Sequence, residues 1–276
     1  MEGGPTTSDA TIRMIEEFSL NAWPALQQLY FQGWILRFAE GFSRRANSVH
    51  SSYGPVAGGD LKDLLELCEG VYLARGLAPV FRITPASRPG NLDEALASRG
   101  YRREGETLVL SRNLSAPDGQ GLQPPGFDED AGGAGALLCE GLERGGEEWL
   151  AGVTELRGRP AKSISVFRNI LSGIITRACY VLLKSEDRPA ACAMGVLQQN
   201  WVGVLELARA DAFRGRGYGR AALNLVEEWA AAYGANRAYL ACEATNRPAL
   251  QMYHDAGYSE LYRYWYRVRP AAGERP

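Results

Sequence analysis

The chain has 276 residues, of which 46% are hydrophobic and 22% are charged, and its formal net charge at pH 7 is −2. This length is enough for two domains with sizeable cores, and the composition is ordinary for a globular protein. The nearly balanced charge provides no basic field that would hold nucleic acid or an acidic membrane, so neither is expected as a partner.

Residue patterns in the first part of the chain predict a helix, a strand, a second helix and a second strand. The apolar spacing of LKDLLELCEGVYLARG at 61–76 is that of an amphipathic helix, and PVFRIT at 79–84 is a short strand. NLDEALASRGY at 91–101 is a helix that ends in Gly-Tyr, and REGETLVLSR at 103–112 is a strand.

A stretch rich in proline, glycine and aspartate lies near the middle of the chain. The run APDGQGLQPPGFDEDAGGAG cannot bury an apolar face, so residues 116–133 are predicted to be a linker. The linker separates a predicted N-terminal domain, residues 1–115, from a predicted C-terminal domain, residues 134–270.

The second part of the chain has longer and clearer patterns. Ala222, Leu225, Val226 and Trp229 recur at helical spacing, and Asn246 is a plausible N-cap for a later helix. Helices are predicted at 136–153, 163–174, 218–234 and 246–257, and strands at 178–185, 189–199, 201–211 and 237–243, with a closing strand pair at 258–269.

Glycines that end helices suggest an internal duplication. The separation between Gly76 and Gly100 nearly equals the separation between Gly234 and Gly257, and the second glycine of each pair precedes a tyrosine. Helix–strand–helix–strand order is common to both stretches. We therefore predict two copies of one structural unit.

The stretch FRGRGYGR at 213–220 follows an apolar strand and opens a helix. The first turn of a helix has N–H groups without intrahelical partners and the positive end of the dipole, and glycines let an anion come close. The three arginines add positive charge, so a di- or polyphosphate ligand is predicted in preference to a glycine-rich solvent loop. A Walker motif is excluded because no Gly-Lys-Ser/Thr occurs, and the dinucleotide fingerprint fails because residue 220 is arginine.

Histidine, cysteine and apolar runs limit the class of protein further. Only two histidines occur, which excludes a histidine-rich metal site, and no metal is predicted. The five cysteines are widely spaced in apolar runs and are predicted to be buried free thiols. No secretory signal pattern or apolar run of about 18 residues occurs, so a cytoplasmic protein is expected.

The pattern Arg-x-x-Gly-x-Gly at 214–219, followed by Asn-x6-Tyr-x3-Gly-Tyr in NRPALQMYHDAGY, resembles the GNAT superfamily of acyl-CoA-dependent N-acyltransferases. The resemblance covers about residues 130–269. It implies an α/β (α+β) fold with a mixed, mostly antiparallel GNAT-type sheet, flanking helices and two tandem GNAT-like units. The N-terminal unit resembles a degenerate copy, because Leu96 occupies the position of Tyr253 and no Arg-x-x-Gly-x-Gly precedes the helix at 61.

The resemblance also implies a cofactor site for acetyl-CoA. The backbone N–H groups of residues 215–220 would hold the pyrophosphate, the strand before the loop would offer main-chain groups to the pantetheine arm, and an N–H near Ala208 would polarise the thioester carbonyl. The predicted cofactor-binding residues are Leu207, Ala208, Arg209, Arg214, Gly215, Arg216, Gly217, Tyr218, Gly219, Arg220, Asn246 and Tyr253.

The catalytic roles follow from the same resemblance. Tyr253 is predicted to protonate the departing thiolate; a phenol has a pKa of about 10 and a thiol about 8.5. Glu206 or Glu243 is predicted to accept the ammonium proton through water, although each is equally compatible with a solvated carboxylate at a strand end. A covalent acyl-enzyme on Cys242 is not expected, since no histidine or aspartate partner is apparent.

The expected activity is transfer of an acetyl group from acetyl-CoA to a primary amine by direct attack in a ternary complex. Two alternatives stay open: a tandem acetyltransferase resembling mycothiol synthase, and a non-catalytic CoA-binding sensor. The expected partners are acetyl-CoA and an amine substrate, in a monomer or homodimer. The identity of the amine is not readable from the sequence.

Overall fold

The structure is a computed structural model that describes residues 7–54, 60–114, 135–140 and 146–270. The predicted linker at 116–133 lies outside the described residues. The chain divides into two compact units: unit 1 is Met1–Val109, Cys242–Arg247 and Glu260–Pro276, and unit 2 is Leu110–Ala241 and Pro248–Ser259.

The described residues contain seven α-helices and eleven strands. The first half of the chain forms α1 (Asp9–Ala22), β1 (Gln27–Phe31), β2 (Trp34–Phe38), β3 (Val49–His50), α2 (Leu61–Leu73), β4 (Val80–Ile83), α3 (Leu92–Ser98) and β5 (Arg102–Asn113). The second half forms β6 (Gly135–Glu140), α4 (Gly146–Arg157), α5 (Ile164–Ser172), β7 (Ala178–Ser185), β8 (Arg188–Gln198), β9 (Trp201–Arg209), α6 (Tyr218–Ala232), β10 (Arg237–Glu243), α7 (Arg247–Asp255) and β11 (Ser259–Val268).

Unit 1 is built on a mixed sheet with the strand order β1-β2-β3-β4-β11-β5. β3 and β4 are parallel, whereas β1–β2, β2–β3 and β4–β11 are antiparallel. One face is covered by α2 and α3, whose Leu65, Tyr72 and Leu96 pack with Trp34 and Phe81 in a core that excludes water. Burial of these large apolar side chains is the main stabilisation of the unit.

The last strand differs from the sequence prediction in two ways. Residues predicted as a closing strand pair form one continuous strand, β11, in which Tyr262, Tyr264 and Tyr266 are buried at every second position. This alternation is the signature of a strand with one face in a core. β11 pairs with β4 from Trp265↔Ile83 onward and belongs to unit 1, although the sequence places it with the C-terminal domain.

Unit 2 contains the strand order β10-β9-β8-β7-β6. The β9–β10 pair is parallel and the others are antiparallel. The helix predicted over 136–153 is wrong in its first part, because Gly135–Glu140 forms β6 and pairs with β7. A short apolar run fits a strand or a helix equally well, and only the tertiary pairing distinguishes them. Residues 141–145 lie outside the described residues.

The predicted internal duplication is confirmed by the order of elements. β1-β2-β3-α2-β4-α3-β5 in the first half matches β7-β8-β9-α6-β10-α7-β11 in the second. The parallel pair β3–β4, joined through α2, corresponds to β9–β10, joined through α6. The described residues therefore contain two copies of one β-β-β-α-β-α-β series, one in each half of the chain, and α1, β6, α4 and α5 lie outside the copies. The mixed, mostly antiparallel sheet agrees with the predicted fold class.

Three simpler predictions concern side-chain chemistry and membrane passage. All five cysteines are free and buried, as predicted. In the described ranges no cluster of three or more His, Cys, Asp or Glu side chains is arranged to hold a metal ion. None of the helices that the structure describes combines the length and apolar character needed to cross a membrane.

Candidate active site

A β-bulge lies near the end of β9. The β8–β9 register passes from Met194↔Leu205 to Cys192↔Ala208, so β9 has one extra residue there, and Glu206 has a positive φ of 53°. The parallel ladder between β9 and β10 ends at the pair Val204↔Leu240. Beyond this point the bulge redirects the main chain of β9, as bulges do beside functional sites.

Glu206 is an ion-paired carboxylate at this bulge. Its side chain is only 3% exposed and contacts the guanidinium of Arg159, with Arg157 Nε 3.5 Å away. Arg157 also donates a hydrogen bond of 3.0 Å to the carbonyl oxygen of Leu207. The end of α4 is thereby attached to β9. Glu206 is buried rather than solvated. Its two arginine partners were not predicted, because no local pattern links residues that are 47 and 49 positions apart.

The predicted anion loop has the backbone geometry of an open helix start. A short 3₁₀ turn at Asp211–Phe213 leads into the loop, and Gly215 and Gly217 have φ values of 77° and 80°. α6 begins at Tyr218, with Gly217 as an N-cap that has no side-chain hydrogen bond. Gly217 has no side chain that could cap the first-turn N–H groups of α6, and a glycine at a helix start is typical of sites that bind phosphate.

The charge around this helix start is positive. Arg214 and Arg209 lie 3.3 Å and 3.6 Å from the exposed carboxylate of Asp211. Arg216 and Arg220 belong to the same short stretch, so four guanidinium groups accompany one carboxylate. Positive charge and the helix dipole act in the same direction here and favour a polyanionic ligand.

Tyr253 lies on α7, which packs against the start of α6 within unit 2. A Cβ atom at Gly219 would lie 3.4 Å from the sulfur of Met252, so the residue next to Tyr253 contacts the first turn of α6. Tyr253 itself is buried, with 7% of its surface exposed. The helix that contains Tyr253 therefore packs beside the first turn of α6, and the role of Tyr253 as proton donor stays a prediction.

The spacing Tyr-x3-Gly-Tyr has a local structural cause. The N–H of Tyr258 donates to the carbonyl of Tyr253 at 3.0 Å, and the N–H of Gly257 donates to the carbonyl of His254 at 2.8 Å. With Gly257 at φ 82°, this is a Schellman motif. The motif places the ring of Tyr258 edge-on to the ring of Tyr253, with centroids 5.9 Å apart.

Two other predicted residues, Glu243 and Asn246, belong to unit 1. Glu243 is exposed at the end of β10, and α7 begins directly after Asn246. Their catalytic and cofactor roles stay predictions. Burial and the nearby Glu243 charge raise the pKa of the Cys242 thiol to about 11, which keeps it protonated and agrees with the expectation that it is not a nucleophile.

In unit 1 the helix equivalent to α6 is α2, and its first turn has a side-chain cap. The start of α2 is capped by the Asp60 carboxylate, which accepts from the N–H of Lys62 at 2.9 Å. Beyond β3, the strand equivalent to β9, the carbonyl of Ser51 accepts a 2.8 Å hydrogen bond from the N–H of Arg88. Leu96, fully buried, occupies the position of Tyr253.

Comparisons with known proteins identify the family to which the chain belongs. The family model described as "Probable histone acetyltransferase Rv0428c C-terminal" matches residues 7–267. A Bacillus subtilis protein, "Uncharacterized N-acetyltransferase YobR", is 26% identical over 263 residues, which cover 94% of this chain and 98% of that protein.

Solved structures share the fold. A GCN5-related N-acetyltransferase from Kribbella flavida has a TM-score of 0.64 at 15% identity and covers 94% of this chain and 95% of its own. A tandem GNAT protein from the clavulanic acid biosynthesis pathway has a TM-score of 0.61 at 16% identity and covers 82% of this chain and 76% of its own.

Together these findings define a GNAT-type acetyltransferase, which is an acyltransferase enzyme. Within the GNAT superfamily, the chain belongs to the family whose model is described as "Probable histone acetyltransferase Rv0428c C-terminal".

Proposed function

We propose that this acetyltransferase transfers the acetyl group of acetyl-CoA to a primary amine by direct attack in a ternary complex. One observation carries the proposal: the uncapped start of α6, preceded by Gly215 and Gly217 in left-handed conformations and accompanied by arginines, lies beside the helix that contains Tyr253. Unit 1 lacks this combination among its described residues.

The residues of unit 2 fit the cofactor. The N–H groups of residues 215–220 and the arginines around them would hold the pyrophosphate, and the main chain of residues 207–209 beyond the bulge would hold the pantetheine arm. When bound, acetyl-CoA supplies an acetyl thioester. Tyr253 would donate a proton to the thiolate that departs.

Glu206 is the carboxylate proposed to accept the proton of the attacking ammonium through water. Both of its guanidinium contacts, to Arg157 and Arg159, are made by Oε2, so Oε1 keeps acceptor capacity. Glu243 is the second candidate. Replacing Glu206 and Glu243 by glutamine, one at a time, distinguishes the two candidates. Loss of the residue that acts as the base lowers kcat/KM most at low pH, where the amine is protonated.

Replacing Gly217 by aspartate is expected to weaken acetyl-CoA binding about tenfold or more, or about 1.4 kcal/mol. The substitution puts a negative charge at the uncapped start of α6 and a Cβ on a residue whose φ is 80°. Isothermal titration calorimetry with acetyl-CoA measures the change.

Two control variants separate charge from backbone strain. Gly217→Asn has a similar shape without charge, so its affinity should lie between wild type and Gly217→Asp. Gly234→Asp introduces aspartate at φ 88° beyond the other end of α6 and should bind as wild type does. Unchanged affinity in a folded Gly217→Asp protein would refute the cofactor assignment.

The proposed activity itself is tested with a panel of amines, scored by release of free CoA and by mass of the acetylated product. The panel should include amino acids, polyamines, aminosugars and peptide N-termini. Amine-dependent CoA release with at least one class is expected. A CoA-binding sensor would bind acetyl-CoA and release CoA with no member, whereas acetylation confined to an aminosugar would favour the activity resembling mycothiol synthase.

A further inference from the structure

A buried hydrogen bond joins the tyrosine after α7 to the middle of α6. The hydroxyl of Tyr258 donates to Oε1 of Glu227 at 2.6 Å, and both side chains are buried. Arg112 lies 3.3 Å from Oε2 of the same carboxylate and donates a 2.7 Å hydrogen bond to the carbonyl of Ala256. These contacts fix the end of α7 to α6 entirely within unit 2.

We propose that Glu227, acting through Tyr258, is a positioning residue that fixes the phenol of Tyr253 for proton transfer. This inference rests on the proposed function, because it gives Tyr253 the role of the acid. Neither Glu227 nor Tyr258 is proposed to touch the substrate.

The geometry gives Tyr258 three constraints. The Schellman hydrogen bond fixes its backbone, the bond to Glu227 fixes the end of its ring, and the ring edge packs on Tyr253. Burial and the Glu227 charge raise the pKa of Tyr258 well above its ordinary value, so it stays a donor to the carboxylate. Because the Tyr258 ring is fixed at its backbone and at its hydroxyl, it limits the rotation of the Tyr253 side chain that packs against it.

The duplication supplies a natural comparison. In unit 1, Tyr101 donates to Glu69 on α2 at 3.1 Å, and its N–H donates to the carbonyl of Leu96 at 3.1 Å. The link from the capping tyrosine to the helix is thus common to both units, but unit 1 has a leucine where unit 2 has Tyr253. A purely structural link would have the same consequences in both units.

The test is a double-mutant cycle between Tyr258→Phe and Tyr253→Phe. Tyr258→Phe keeps the ring and removes the bond to Glu227, so kcat should fall about tenfold, as expected when a reacting group is slightly misplaced, with the KM for acetyl-CoA unchanged. In the Tyr253→Phe background the same change should cause no further loss, because the phenol it positions is absent.

Tyr101→Phe is the matched control. It removes the equivalent hydrogen bond in unit 1. Its melting temperature should fall by about as much as that of Tyr258→Phe, but its kcat should equal that of the wild type. At the other end of the bond, Glu227→Leu should reproduce the loss of kcat seen with Tyr258→Phe. Glu227→Gln still accepts the hydrogen bond from Tyr258 and should keep most of the wild-type kcat. These two variants also provide the test if Tyr258→Phe does not fold.

A readout independent of turnover uses protein with ring-¹³C-labelled tyrosine, in which Tyr253→Phe assigns the Tyr253 signal. Tyr258→Phe should shift or broaden that signal in the protein without ligand, and Tyr101→Phe should not. An equal fall of kcat in both backgrounds of the cycle, or no fall in a folded Tyr258→Phe protein, would overturn the positioning role alone. Full activity of Tyr253→Phe would instead overturn the acid role in the proposed function.

Discussion

Replacing Tyr253 by phenylalanine is expected to lower turnover by about 10²-fold or more, the usual scale for loss of a general acid. The change removes one hydroxyl and almost no volume from a buried ring. Affinity for acetyl-CoA should persist, because the proposed contacts with the pyrophosphate are made by the loop at 215–220 and not by Tyr253. Such a variant loses an interaction made mainly in the transition state. Steady-state kinetics and calorimetry on the same preparation measure both quantities.

Tyr233→Phe is the control for this variant. Tyr233 is 43% exposed at the end of α6, and loss of its hydroxyl should leave turnover unchanged. If Tyr253→Phe keeps the wild-type rate between about pH 6 and pH 9, Tyr253 is a packing residue and water or another side chain supplies the proton.

Replacing Glu16 by glutamine is expected to cost about 3–5 kcal/mol of the free energy of unfolding, the scale for breaking a buried ion pair. Glu16, only 2% exposed, accepts two 2.7 Å hydrogen bonds from Arg82 and one of 2.5 Å from the hydroxyl of Tyr262. Arg37 is also buried, and burial lowers its pKa to about 10. Without the Glu16 charge, buried guanidinium groups are left uncompensated in unit 1.

Urea denaturation followed by circular dichroism measures this loss. Glu147→Gln is the control, because it removes the partner of Arg168 in an ion pair on the surface and should leave the midpoint unchanged. Equal midpoints for Glu16→Gln and wild type would show that the interactions of Glu16 with Arg82 and Tyr262 contribute no net stability.

The sequence predicts those parts of the fold whose causes are local. Gly215 and Gly217 of the predicted anion loop have positive φ, which glycine adopts without strain, and the apolar residues of the helix after them recur at helical spacing. The Tyr-x3-Gly-Tyr spacing is a helix-ending motif, so it can be recognised without tertiary information. These features are enough to predict the start of α6, the end of α7 and the duplication.

Features that depend on long-range contacts could not be predicted in this way. The run at 135–140 is a strand only because β7 pairs with it, and β11 belongs to unit 1 because its tyrosine face is buried there. The bonds from Glu16 to Tyr262 and from Glu206 to Arg159 join residues 246 and 47 positions apart. No periodicity or spacing rule connects such pairs.

The number of acetyl-CoA molecules that bind per chain tests most directly the central claim, that unit 2 alone holds the cofactor at the open start of α6. Unit 1 places the Asp60 carboxylate at the equivalent helix start and has Leu96 in place of the tyrosine. Calorimetric titration of the wild-type chain should therefore give one site. A stoichiometry near two would show that the first unit also binds the cofactor, and would contradict the assignment of unit 1 as degenerate.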